Sequence, residues 1–98
     1  MTRRVQLPSE DAARFFIGLA ATARAIRARD QLTQREVAAR AGLSKRLVSD
    51  IENERANPRI IHLDQLARGL GLDGVQELLT LADDTARRLA ISVVPPAS

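Results

Sequence analysis

Gly42 constrains the fold of this chain more than any other residue. It separates two short segments, Gln34–Ala41 and Lys45–Glu52, whose apolar residues recur at helical spacing: Val37, Ala38 and Ala41 in the first, Val48 and Ile51 in the second, with Leu43 at the join. A glycine between them can take the left-handed conformation that ends one helix and turns the chain into the next. Ala38 carries only a methyl, so the second helix can cross close over the first.

Other breaks fall around this pair in order. Residues 1–8, with Arg3 and Arg4, read as a flexible basic arm before a domain over residues 9–90 and a tail over 91–98. Ser9 is placed to cap a first helix, with Glu10 and Asp11 in its first turn. Its apolar stripe is Phe15, Phe16, Leu19, Ala20, Ala23 and Ile26, and it reaches about Asp30. Gln31 follows where a glycine would be more comfortable, since left-handed backbone costs other residues about 1–2 kcal/mol. Thr33 caps the second helix and Glu36, three residues on, completes a capping box. Ser44 caps the third, and Arg40 sits where a helix end favours a cation. A polar loop over residues 53–57 and Pro58 precede a fourth helix over roughly 60–70, ended by Gly71. Asp73 and Gln76 make a second capping-box pattern before a fifth helix, whose stripe Val75, Leu78, Leu79 and Ala82 runs to about Leu89. Beyond it Leu89, Ile91 and Val93 alternate as a strand would, until Pro95 and Pro96 stop the pattern. A lone strand has no partner in an all-helical domain, so this tail is either frayed, packed as irregular chain, or paired with a second subunit.

Composition removes whole classes of function. The chain has 98 residues, no cysteine and one histidine, so no disulfide, thiol nucleophile or metal cluster is expected, and no cofactor. No Ser-His-Asp set or phosphate loop is visible, which argues against an enzyme. No apolar run approaches a membrane span and no signal peptide is visible, so the expected location is cytoplasmic and nucleoid-associated, with no membrane partner. The net charge of +3 is unevenly spread: residues 24–59 hold nine basic against five acidic residues, residues 60–98 three against five. The positive excess sits on the two crossed helices, which suits a polyanion. Two such helices are the geometry of a helix-turn-helix, whose second helix is offered to the DNA major groove.

The run LTQREVAARAGLSKRLVSDIENERANPRIIHLDQLARGLGL closely resembles the phage Cro and repressor type of helix-turn-helix domain, the xenobiotic-response-element family. The resemblance spans about residues 23–81 and rests on Leu32-Thr33-Gln34, Ala38, Gly42, Leu43-Ser44, Val48-Ser49, Ile51-Glu52-Asn53 and Asn57-Pro58 together. It implies an all-α, five-helix, lambda-repressor-like domain with its recognition helix at about 44–52. It also implies a sequence-specific transcriptional regulator, by default a repressor, bound to double-stranded DNA.

Residue by residue, the resemblance gives Gln34 a DNA phosphate and the buttressing of the recognition helix. Arg35 lies beside it. Ser44 caps that helix and touches the backbone. Lys45 and Arg46 face base edges, where either can donate to guanine O6 and N7. Ser49 and Asp50 lie one turn deeper. Asp50 departs from the family: it either accepts from cytosine N4 or neutralises Lys45 or Arg46. Arg55 and Arg59 flank a loop that in the family follows the DNA backbone. Arg27 and Glu52 match a structural ion pair, alongside Ala38 and Gly42 as packing positions.

Family members usually bind as dimers on a pseudo-palindrome. Surplus apolar residues point the same way, since Ile61 stands where the family is usually polar. Phe15, Phe16, Ile61, Leu79, Leu89, Ile91 and Val93 are therefore the expected twofold interface, the alternative being that they cover their own core. An antitoxin that also binds a toxin protein, and a protein-docking module that reads no bases, are the other readings.

Overall fold

The computed structural model describes residues 10–93 and consists of five helices: α1 (Glu10–Arg29), α2 (Gln34–Ala41), α3 (Lys45–Glu52), α4 (Ile60–Gly69) and α5 (Val75–Val93). The basic arm, the Ser9 cap and residues 94–98 lie outside the described residues.

The short helices begin and end on local signals. The Thr33 hydroxyl accepts from the Glu36 amide at 3.0 Å while the Glu36 carboxylate accepts from the Thr33 amide at 2.9 Å, so the capping box is formed in both directions. Gly42 takes φ 71° and its amide donates to the carbonyls of Ala38 and Ala39. The Ser44 hydroxyl accepts from the Leu47 amide at 3.0 Å and opens α3. Gln31, at φ 57°, does adopt the left-handed conformation. Helices of eight residues are marginal alone in water. What holds them is one core, in which Leu19, Val37, Val48, Leu66, Leu70 and Leu78 are fully buried. Each such side chain contributes about 1.5–3 kcal/mol on leaving water.

α3 rests on α2 and α1, and α4 on α2 and α5, while α1 and α5 make the broadest contact. That contact is close because Gly18 has no side chain: a Cβ there would run into the Ala82 carbonyl and the Ala86 methyl. One turn on, the Thr22 hydroxyl donates to Thr85 Oγ1 at 2.8 Å, so even the buried polar group on this seam is partnered.

Two expectations are corrected. The alternating tail is not a strand: α5 continues through Ile91 to Val93, its period carried by Leu78, Ala82 and Ala86 on the buried side. The described residues contain no strand at all. The Asp73–Gln76 capping box does not form. Instead Asp64 of α4 accepts from the Val75 amide at 3.0 Å, and the Glu77 carboxylate accepts from the Asp73 amide at 2.9 Å. The cap of α5 is thus a tertiary one. Phe15 and Phe16, expected at the twofold interface, take the arrangement given as the alternative and touch the chain's own core. They meet edge to face at 5.8 Å and pack, half-buried, against the chain's own core, as does Leu79.

Candidate nucleic-acid interface

The surface around α3 begins with an amphipathic helix. Val48, Ile51 and Glu52 are buried, and Lys45 and Arg46 of the first turn are exposed. The Arg46 side chain is 90% exposed and reaches Asp50, one turn on, at 3.8 Å, while Asp50 keeps a third of its surface. The pair therefore adopts the charge-neutralising arrangement open to it at helical spacing. Ser49 is half-buried, its carbonyl accepting from Asn53 Nδ2 at 2.8 Å. Arg55 lies exposed in the loop, and Arg59 is the N-cap residue of α4, exposed and without a side-chain capping bond. Gln34, Arg35 and Lys45 come together on the wall of one shallow concavity with Arg27, Gln31, Leu32 and Thr33.

Beneath this surface α3 is anchored. Glu52 is 2% exposed, which would be costly for an unpaired charge. Both oxygens of its carboxylate are bonded: Arg27 donates through Nε to Oε2 and through Nη2 to Oε1, both at 2.9 Å, and Gln34 Nε2 adds a bond to Oε1 at 3.1 Å. The planar guanidinium suits this two-bond grip. Arg27 also donates to the Leu32 carbonyl at 3.0 Å, tying in the turn before α2. The Glu52 bond raises the Arg27 pKa above its ordinary value, against the opposing effect of burial. The expected Arg27–Glu52 pair is present, and Gln34 joins it from the first turn of α2.

One interaction was not foreseen. Arg24 Nη1 donates to the main-chain carbonyl of Glu52, at the C-terminal end of α3. The available signal was its position one turn before Arg27, combined with the lack of any basic residue in the last turn of α3. Among the residues expected at the twofold interface, Ile61 is 56% exposed beside Ile60 at 61%, Leu89 is half-buried, and the side chains of Ile91 and Val93 lie outside the described part of the structure. None of the helices over the described residues is long and apolar enough to cross a membrane.

Comparison with known proteins returns the same architecture. A family model described as helix-turn-helix matches residues 24–75. An uncharacterized HTH-type transcriptional regulator of Sinorhizobium fredii, y4dJ, is 48% identical over 54 residues, which cover 55% of this chain and 69% of that protein. An uncharacterized HTH-type transcriptional regulator of Methanothermobacter thermautotrophicus is 32% identical over 56 residues, 57% of this chain and 81% of that protein. Among solved structures, a hypothetical transcription factor from Neisseria superposes with a TM-score of 0.61 at 31% identity, covering 80% of this chain and 86% of that one.

Proposed function

The chain belongs to the helix-turn-helix family of transcriptional regulators, and on that premise we propose that it reads a specific operator through α3 and represses by occluding a promoter. The observation that carries this reading is the pairing of an exposed Lys45–Arg46 turn with a buried, hydrogen-bonded anchor at the other end of the same helix. A rigidly held helix can present its side chains to base edges with the tolerance hydrogen bonds require.

In this reading Lys45 and Arg46 donate to guanine. Asp50 either holds Arg46 in position or accepts from cytosine N4. Ser49 lies against the base edges beside it. Gln34, Arg35, Ser44, Arg55 and Arg59 take backbone phosphates, which orient the protein without reading sequence. The location follows the partner and is the cytoplasmic nucleoid.

The protein acts as a homodimer, because one such helix reads only a few base pairs. Two helices enter successive major grooves about 34–36 Å apart. The twofold interface centres on Ile61 and Leu89 with the last turn of α5. Phe15, Phe16 and Leu79 contribute less, since they are already packed on their own core.

Selection of bound sites from random DNA tests the reading. The expected product is a pseudo-palindrome with half-sites one helical turn apart, bound in preference to random competitor. Recovery of unrelated sequences in proportion to the input pool would refute it.

A further inference from the structure

We propose that Arg24 is a positioning residue for DNA reading, gripping the C-terminal end of α3 so that its first turn is held at a fixed angle to the groove. This rests on the reading of α3 as the recognition helix.

The last carbonyls of a helix have no partner within it and attract a cation. α3 has only eight residues and supplies no basic side chain in its own last turn. α1 supplies it from outside: Arg24 Nη1 donates to the Glu52 carbonyl. One turn along α1, Arg27 takes the Glu52 carboxylate with two bonds. A single residue at the end of α3 is therefore held twice, once by its side chain and once by its main chain.

The two grips do different things. The carboxylate grip acts through the rotatable bonds of a Glu side chain and so permits the helix axis to swing. The carbonyl grip takes hold of the α3 backbone itself, and the two grips together restrict that swing more than either does alone. Lys45 lies about 10 Å along the axis from Glu52 at 1.5 Å per residue, so a tilt of about 10° at Glu52 moves it by about 2 Å. That exceeds the roughly 0.5 Å range over which a hydrogen bond to a base edge stays well formed.

Arg24 is exposed, so a direct bond to a DNA phosphate is the competing role, and the two roles differ in salt dependence. The test uses the full chain as wild type, Arg24→Ala and Arg24→Lys. Each is measured for affinity to the selected operator and to random duplex over a range of salt, and for amide hydrogen exchange at Asn53, Glu54 and Arg55. Those amides bond to the Ser49, Ile51 and Asp50 carbonyls at the end of α3. In Arg24→Ala, exchange at the three amides rises and operator affinity falls about two- to fivefold, in line with the loss of a cation at a helix C-terminus. Affinity for random duplex changes less, the salt slope is unchanged, and Arg24→Lys recovers most of the loss.

A slope reduced by about 0.9 for each Arg24 removed would make the residue a phosphate ligand and overturn the proposal. Lower melting with unchanged operator preference, or exchange equal to wild type, overturns it as well. Wild-type protein with no preference for any DNA sequence would instead remove the recognition reading, and the exchange data would still decide whether Arg24 holds the end of α3.

Discussion

Gln31 and Glu54 carry left-handed backbone, at φ 57° and 60°, without being glycine. Each follows the end of a helix, where the chain must turn, and each side chain meets its own backbone there. Gln31→Gly and Glu54→Gly should each raise the unfolding free energy by about 0.5–1 kcal/mol, the strain relieved exceeding the entropy that glycine costs. Urea denaturation with an unchanged slope checks this; a lower midpoint for either variant would count against it. Glu52 is the opposite case, a buried charge that cannot lose a partner cheaply. Glu52→Ala should cost about 2–3 kcal/mol, somewhat less than a fully buried pair, because a quarter of the Arg27 side chain can rehydrate. The same variant should weaken operator binding, measured beside melting. Melting equal to wild type would contradict this account of the anchor.

At the scale of elements, α2 and α3 are assembled from local signals and α5 is not. The Ser44 cap is worth about 1 kcal/mol, so Ser44→Ala should lose that much helix stability. α5 instead takes its first hydrogen-bond acceptor from Asp64, whose carboxyl is held below its ordinary value by Arg68 first and the Val75 amide second. Glu36 is held below its ordinary value by the Thr33 amide and hydroxyl. A carboxylate whose folded pKa is depressed stabilises the fold above its unfolded value, and that contribution is lost as pH falls through the folded one. Stability should therefore decline below the ordinary values of 4.5 for Glu36 and 3.8 for Asp64. Asp64→Asn should melt lower than wild type at pH 6 and lose less on acidification. Parallel curves for the two proteins from pH 6 to 3 would show that the α5 cap is not the source.

For the whole molecule, the proposed function separates residues that meet DNA from residues that join two copies of the chain. Arg55→Ala and Arg59→Ala should each weaken operator and random DNA alike and reduce the salt slope by about 0.9 per residue, because a cation on a phosphate releases counterions without reading sequence. Lys45→Ala with Arg46→Ala should instead narrow the gap between operator and random DNA by about 1–3 kcal/mol for each guanine left unread. If the twofold interface forms as proposed, sedimentation at micromolar concentration should give a dimer that Ile61→Asp weakens. A strict monomer for wild type would remove the twofold interface and leave DNA reading to a single helix.

The sequence by itself determined what depends on neighbours in the chain. Thr33 with Glu36, Gly42 and Ser44 mark both ends of α2 and the start of α3, because each of their hydrogen bonds spans at most four residues. The Arg27–Glu52 pair was legible only through the family pattern, since 25 residues separate its partners. Tertiary structure alone decided the rest. Arg24 meets the Glu52 carbonyl, and Asp64 displaces Asp73 as the cap of α5, only once α1 lies against α3 and α4 against α5. Leu89, Ile91 and Val93 alternate with a strand's period, yet α5 persists through them as the continuation of a helix already packed against α1. The contact of Phe15 and Phe16 with the core likewise needs the fold, because a linear pattern cannot show which side of a long helix its own chain will cover.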